Sequence, residues 1–180
     1  GQAKVGQAWR VKAASDPTAG TLTVAGNSTR TSGAELSVTT FHGQGERAAN
    51  AGADRALGNG SGGGNATLSS VGTGTIDSLS TQGTLDVTSG AALAARVLSS
   101  GSAMTLTSGN TLDVQQLVSD DRLDVDALGT LSIVDAAVSG NAALNGQSDV
   151  VLGQATVGQA LTVNAATDLT AGTLNVAGNS

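Results

Sequence analysis

The chain has 180 residues, a formal charge of −6 and no cysteine, with a sequence pI near 4.4. The acidic balance disfavours a general nucleic-acid or anionic-membrane surface. The missing cysteine excludes a disulfide framework and thiolate chemistry, and no apolar run approaches the ~18–20 residues of a membrane span. Trp9 and Phe41 are the only aromatic residues among Phe, Trp and Tyr, against 26 Gly, so any core must be built from Leu, Val, Ile and Ala. Gly/Ser-rich chains poor in aromatics often stay unfolded, but the regular spacing of Leu and Val argues against disorder over most of this length. No signal peptide opens the chain and Gly1 is not an initiator Met. The expectation is a segment of a longer protein.

From the start of the chain, residues 1–28 read GQAKVGQAWRVKAASDPTAGTLTVAGNS, and residues 153–180 repeat them at 21 of 28 positions. Their offset of 152 residues is eight times nineteen, a period that points to a repeat architecture. Written in rows of nineteen from Gly1, the sequence places apolar residues in register. Position 3 of the row carries Leu22, Phe41, Leu79, Leu98, Leu117 and Leu174, and position 5 carries Val5, Val24, Val138, Val157 and Val176. Position 9 carries Trp9, Leu85, Met104, Leu123 and Leu161, and position 11 carries Val11, Leu68, Val87, Leu106, Val125, Leu144 and Val163. Positions 17 and 19 carry the pairs Leu36/Val38, Leu112/Val114, Leu131/Ile133 and Val150/Leu152.

Paired positions two apart point the same way on a strand. Each row therefore predicts three short strands facing one interior, which is one coil of a parallel β-helix. The fold class is all-β: a single-chain β-solenoid running as one unit through 1–180. At ~4.8 Å per coil, about 9.5 coils make a rod roughly 45 Å long. Positions 10 and 12 should face outward and are polar in the rows Arg10/Lys12, Thr29/Thr31, Thr67/Ser69, Asp86/Thr88, Thr105/Thr107, Asp124/Asp126 and Thr162/Asn164. Bends carry Gly-Asn at 26–27, 64–65, 140–141 and 178–179, and Ser-Gly at 32–33, 89–90 and 108–109. Both dipeptides are read as bend residues, the Gly-Asn pair as tolerant of positive φ. Neither end reads as a cap, which again suits a cut shaft.

Residues 39–64 break the pattern. Phe41 and Leu57 are their only large apolar residues, eight positions are Gly, and Arg47 and Arg55 occupy inward positions 9 and 17. A bare buried Arg costs several kcal/mol unless paired, and Glu46 and Asp54 are the neighbouring acids available. Two paths remain open, distorted coils or a partly extruded loop; the frame resumes without slip at Leu68 and Ile76.

No residue is assigned to catalysis, to a cofactor or to a metal. The single His42 follows inward Phe41, faces solvent and has no second His or Cys; no G-x-S-x-G elbow accompanies the many serines. Asp120, Asp121, Asp124 and Asp126 offer oxygens to Ca²⁺. However, Thr105 separates Asp86 from Asp124, and both the EF-hand and the calcium nonapeptide patterns are missing. A solvated turn partly neutralised by Arg122 is the better reading. Gly60 to Gly64 lacks the Lys-Ser/Thr of a phosphate loop and reads as flexible backbone. Thr-x-Thr pairs of the ice-binding kind at Thr29/Thr31 and Thr105/Thr107 are interrupted by Arg10/Lys12 and Asp124/Asp126. A polysaccharide lyase on a β-helix would need long loops to wall a groove, and the coils are nearly constant in length.

Rows such as TLDVTSGAALAARVLSSGSAMTLTSGNTLDVQQL (84–117) and GQALTVNAATDLTAGTLNVAGN (158–179) resemble the nineteen-residue shaft repeats of the filamentous haemagglutinins, large adhesins of the Bordetella type. The resemblance covers nearly the whole chain and is weakest over 39–64. It implies a right-handed parallel β-helix, export through a dedicated outer-membrane partner (two-partner secretion), a location secreted or at the bacterial surface, and a rod that binds host-cell glycans or receptors. The family's secretion domain is not in this segment. No Arg-Gly-Asp is present for integrin recognition, and no motif here carries carbohydrate or heparin binding. The expected role is non-enzymatic: rigid reach, with surface contacts whose residues the sequence does not name.

Overall fold

The computed structural model describes residues 2–6, 8–14 and 18–178. Pro17 and the side chain of Trp9 lie outside the described residues. Nineteen strands run among them, from β1 (Gln2–Val5) to β19 (Leu169–Val176), with no helix. They alternate between two parallel sheets, odd-numbered strands in one and even-numbered strands in the other. Every inter-strand pairing joins residues nineteen apart, as in Leu85↔Met104↔Leu123 and Leu98↔Leu117↔Ala136. The fold is thus a parallel β-solenoid of about nine coils.

From Ser28 onward each coil contributes one five-residue and one eight-residue strand, for example β10 (Leu85–Ser89) followed by β11 (Leu93–Ser100). In β10 the alternation is strict, burying the first, third and fifth residues. In the long strand two consecutive residues, such as Arg96 and Val97, both face outward, and the pairing skips Arg96. The chain bends there, so the long strand is two straight pieces. Those pieces and the short strand are the three faces that the period implied.

Leu, Val and Ile from all three faces fill the interior. One cluster runs without a break from Ala66 to Val157; a second, smaller one holds Leu22, Val24, Leu36, Val38, Phe41 and Ala51, and Ala49 and Leu57 pack against both. Leu169 and Leu174 stand at inward positions of the last described coil and are about half exposed, since no later strand among the described residues covers them.

Two kinds of turn chemistry lock coil to coil. Outward Asn and Asp side chains accept hydrogen bonds from backbone N–H groups nineteen residues on: Asn65 Oδ1 from Thr84, Asp54 Oδ1 from Thr73, Asn141 Oδ1 from Ala160. Inward Ser residues at the strand ends are fully buried and meet turn carbonyls. Ser89 Oγ lies 2.8 Å from both the Gly72 and Ala92 oxygens, and Ser108 Oγ lies 2.7 and 2.8 Å from those of Ala91 and Thr111. A single hydroxyl proton goes to one of each pair. Such bonds satisfy backbone groups that the bend takes out of the sheet ladder.

The expectation of positive φ at the bends is corrected. No described residue, glycine included, has a positive φ. Glycine is needed for close stacking instead: a Cβ on Gly109 would run into the Gly90 carbonyl of the coil before it.

Candidate functional site

The departure from the aliphatic pattern lies at three arginines. Arg30 is the third residue of β4 (Ser28–Ser32), Arg47 opens β6 (Arg47–Ala51), and Arg55 opens β7 (Arg55–Gly62). Strand alternation carries all three inward, and they are only 5, 6 and 4 % exposed. Residues 39–64 follow the regular path through β5 (Leu36–Gly43), β6 and β7, with β5 paired to β7 from Leu36↔Arg55 to Gly43↔Gly62. Of the two paths the sequence left open, the chain stays coiled.

Space for the arginines comes from small residues. Arg47 stacks between Ser28 and Ala66, and Arg55 between Leu36 and Gly74. The Arg47 side chain crosses the interior from the short-strand sheet. Its guanidinium lies 5.2 Å from the Phe41 ring centroid, and Nη2 donates to the Ser80 carbonyl at 3.3 Å. A cation over an aromatic face is attractive, more so when desolvated. The guanidinium fills the place where a Cβ on Gly62 would stand. Gly60, in the row position that elsewhere holds Leu, Phe or Ala, leaves room for Leu79 and sits beside Arg47 Nη1. Arg55 crosses the other way, and its Nη1 donates to the Ala49 carbonyl of β6 at 3.0 Å.

The two guanidiniums are under-satisfied. Arg47 Nε, Arg55 Nε and Arg55 Nη2 are buried without a hydrogen-bond partner. Burial pushes both arginines down from the ordinary arginine value to about 10, and Arg30 in the same direction. They remain cations at neutral pH. Glu46 and Asp54 do not neutralise them. Both acids are exposed at turns, where the Glu46 N–H donates to Asn27 Oδ1 and Asp54 accepts from Thr73. Among the described residues the ion pairs are Arg96–Asp77 and Arg122–Asp124, on the outer surface. A cavity of about 30 Å³ beside them has an apolar wall, with Phe41, Leu57 and Leu68 as well as Arg47 and Arg55 among its lining residues.

The remaining candidates stay on the outside and do not converge. His42 is exposed, with Nδ1 2.7 Å from Ser61 Oγ one coil on, and no acid joins them. Asp124 pairs with Arg122, while Asp126 accepts from Asn145 Nδ2 at 2.8 Å and so opens a short amide ladder through Asn164. No group of three or more His, Cys, Asp or Glu that could hold a metal occurs among the described residues. The Thr ladder is broken as the register implied, Thr105 lying between Asp86 and Asp124. Gly60 to Gly62 end β7 and the glycines after them form its turn. The pairing of Asp77 with Arg96 holds the Asp77 carboxyl below its usual value through a hydrogen bond, but both partners are about half exposed, and such pairs contribute little.

Compared with known families, curated proteins and solved structures, the chain returns no match. The signals that sequence reasoning missed are Arg30, which shares the inward position of Val11 and Leu68, and Gly60, which shares that of Leu22 and Leu79. Both were visible in the nineteen-residue rows.

Proposed function

We propose that the chain is a structural shaft segment of a large secreted bacterial adhesin of the filamentous haemagglutinin kind. The observation that carries this reading is the unbroken nineteen-residue register. From Gln2↔Thr21 to Val157↔Val176 no coil is longer or shorter than its neighbours, so the chain builds length and no walled groove. Stacked coils of this kind contact only their neighbours and form an extended rod. Its role is reach: holding a binding region away from the bacterial surface, with weak contacts along the outer faces adding avidity for host glycans or receptors. Export through an outer-membrane two-partner transporter belongs to the same proposal, supported by the resemblance of residues 84–117 and 158–179. The shaft segment itself is read as non-enzymatic.

The test is excision of whole coils from the parent protein. Removing residues 85–160 joins Thr84 to Leu161 in register and should shorten the rod by roughly 19 Å. The shortened protein is expected at the cell surface, with weaker attachment to cultured host cells. Unchanged attachment would count against the reading. So would a calcium-dependent rise in absorbance when the chain alone is mixed with polygalacturonate, which would favour a lyase.

A further inference from the structure

Successive coils share one pattern of backbone pairing, so their interfaces differ chiefly in the inward residues stacked across them. In the aliphatic coils these are pairs such as Met104/Leu123, Leu112/Leu131 and Val114/Ile133. The coil of β6 and β7 is different on both of its sides. Through it run the stacks Ser28/Arg47/Ala66, Leu36/Arg55/Gly74 and Phe41/Gly60/Leu79. Among the described residues, Val38/Leu57/Ile76 alone stays large and aliphatic across both interfaces. The coil is also weak in itself. Arg47 Nε, Arg55 Nε and Arg55 Nη2 are buried without a partner, and opening returns them to water. β7 carries glycine at 58, 60 and 62, and glycine inside a strand weakens it.

We propose that the coil of β6 and β7 is a yield point of the rod, opening together with the coils before it while residues 66–157 stay folded. Stability in such a stack is a sum of coil and interface terms, and the stack parts where two successive interfaces are poorest. The coils before the yield point cannot stand alone. They hold most of the minor cluster in roughly 40 residues, with no disulfide to staple them. Behind it the main cluster runs from Ala66 to Val157 and keeps its own core. The opening needs no particular role for the chain. Its use rests on the shaft reading: a rod under pull gives out roughly 200 Å of chain here before its main body breaks.

Urea unfolding of the full chain, followed by circular dichroism, tests the opening. Host-cell attachment plays no part in that measurement, so the yield point and the shaft reading can fail separately. Two steps are expected, the smaller first. Between them, hydrogen exchange read by mass spectrometry should find the amides of 36–62 exchanged and those of 93–138 protected. This part uses the unaltered chain and does not depend on a variant folding. Arg55→Met should move the first midpoint up by about 1 M urea and leave the second in place. A single step in which both groups of amides exchange together would overturn the proposal. Protection that declines smoothly toward the ends, with no break after Gly62, is ordinary fraying and would overturn it too. An equal shift of both midpoints in Arg55→Met would do the same.

Discussion

The coils from Leu85 to Val157 and those from Ser28 to Gly62 follow the same backbone path and fill it by different means. In the first set, Leu, Val, Ile and Met from three faces form one continuous cluster, with Leu98, Leu106 and Leu117 fully buried. In the second, three arginines stand at positions that the stacking would give to aliphatic residues, and the apolar core divides into a main and a minor cluster at that level. Backbone pairing does not register the change: β6 keeps the same five-residue match to its neighbours as β12 (Met104–Ser108) does. A β-solenoid therefore specifies its path through turns and inter-coil hydrogen bonds, and tolerates a different interior wherever volume is conserved locally. What it does not conserve is energy. A fully buried Leu contributes about 1.5–3 kcal/mol, whereas an unpaired buried charge subtracts from stability.

The strongest way to break the comparison is to put an arginine into the aliphatic set without its glycines. Leu106→Arg, in the row position of Arg30, should cost more than ~4 kcal/mol or leave the chain insoluble, as read by urea unfolding. Next comes removal of the space on which Arg47 depends. Gly62→Val introduces the residue that Val138 and Val157 supply in other coils, yet it should destabilise by about 2–3 kcal/mol through overpacking. Combining it with Arg47→Ala should recover part of that loss, a coupling of ~1–2 kcal/mol in a double-mutant cycle; strict additivity would show that the glycine and the arginine are independent.

A third change sharpens the contrast in the opposite direction. Arg55→Met should stabilise the chain by about 1–3 kcal/mol in urea unfolding, because a buried unpaired cation is replaced by apolar volume. The smallest expected effect is of pH. Both Arg47 and Arg55 have folded values near 10, below the ordinary arginine value that the unfolded chain restores. Between those values the unfolded state binds more protons, so stability rises with pH across that window and is flat below it. The urea midpoint of the wild type should increase between about pH 9 and about pH 11, and the increase should be smaller in Arg55→Met.

Most of the path of the chain was legible in its residues. Leu and Val two apart, repeated at nineteen, name the inward face of each strand, and they did so through 39–64, where only Phe41 and Leu57 carried the pattern. The arginine site was half legible. Arg47 and Arg55 were seen at inward positions, but their expected partners Glu46 and Asp54 were not found beside them. Alternation is the reason: a neighbour in sequence on the next strand position or turn faces the other way, so the nearest acid in the chain is held outside. Gly-Asn at the bends was legible as a turn and misread in cause, since stacking distance rather than φ demands the glycine.

By itself the sequence determined the period, the register and which side of each strand faces the interior. These follow from side-chain alternation and from turn residues at constant spacing, both local properties of the chain. Only the tertiary structure decided how the interior is shared: that Arg47 reaches a carbonyl 33 residues away at Ser80, that it occupies the volume missing at Gly62, and that Arg55 enters from the opposite sheet toward Ala49. Those contacts join different faces and different coils. They depend on the width of the closed solenoid and on the reach of a long side chain across it, neither of which a pattern of inward and outward positions contains.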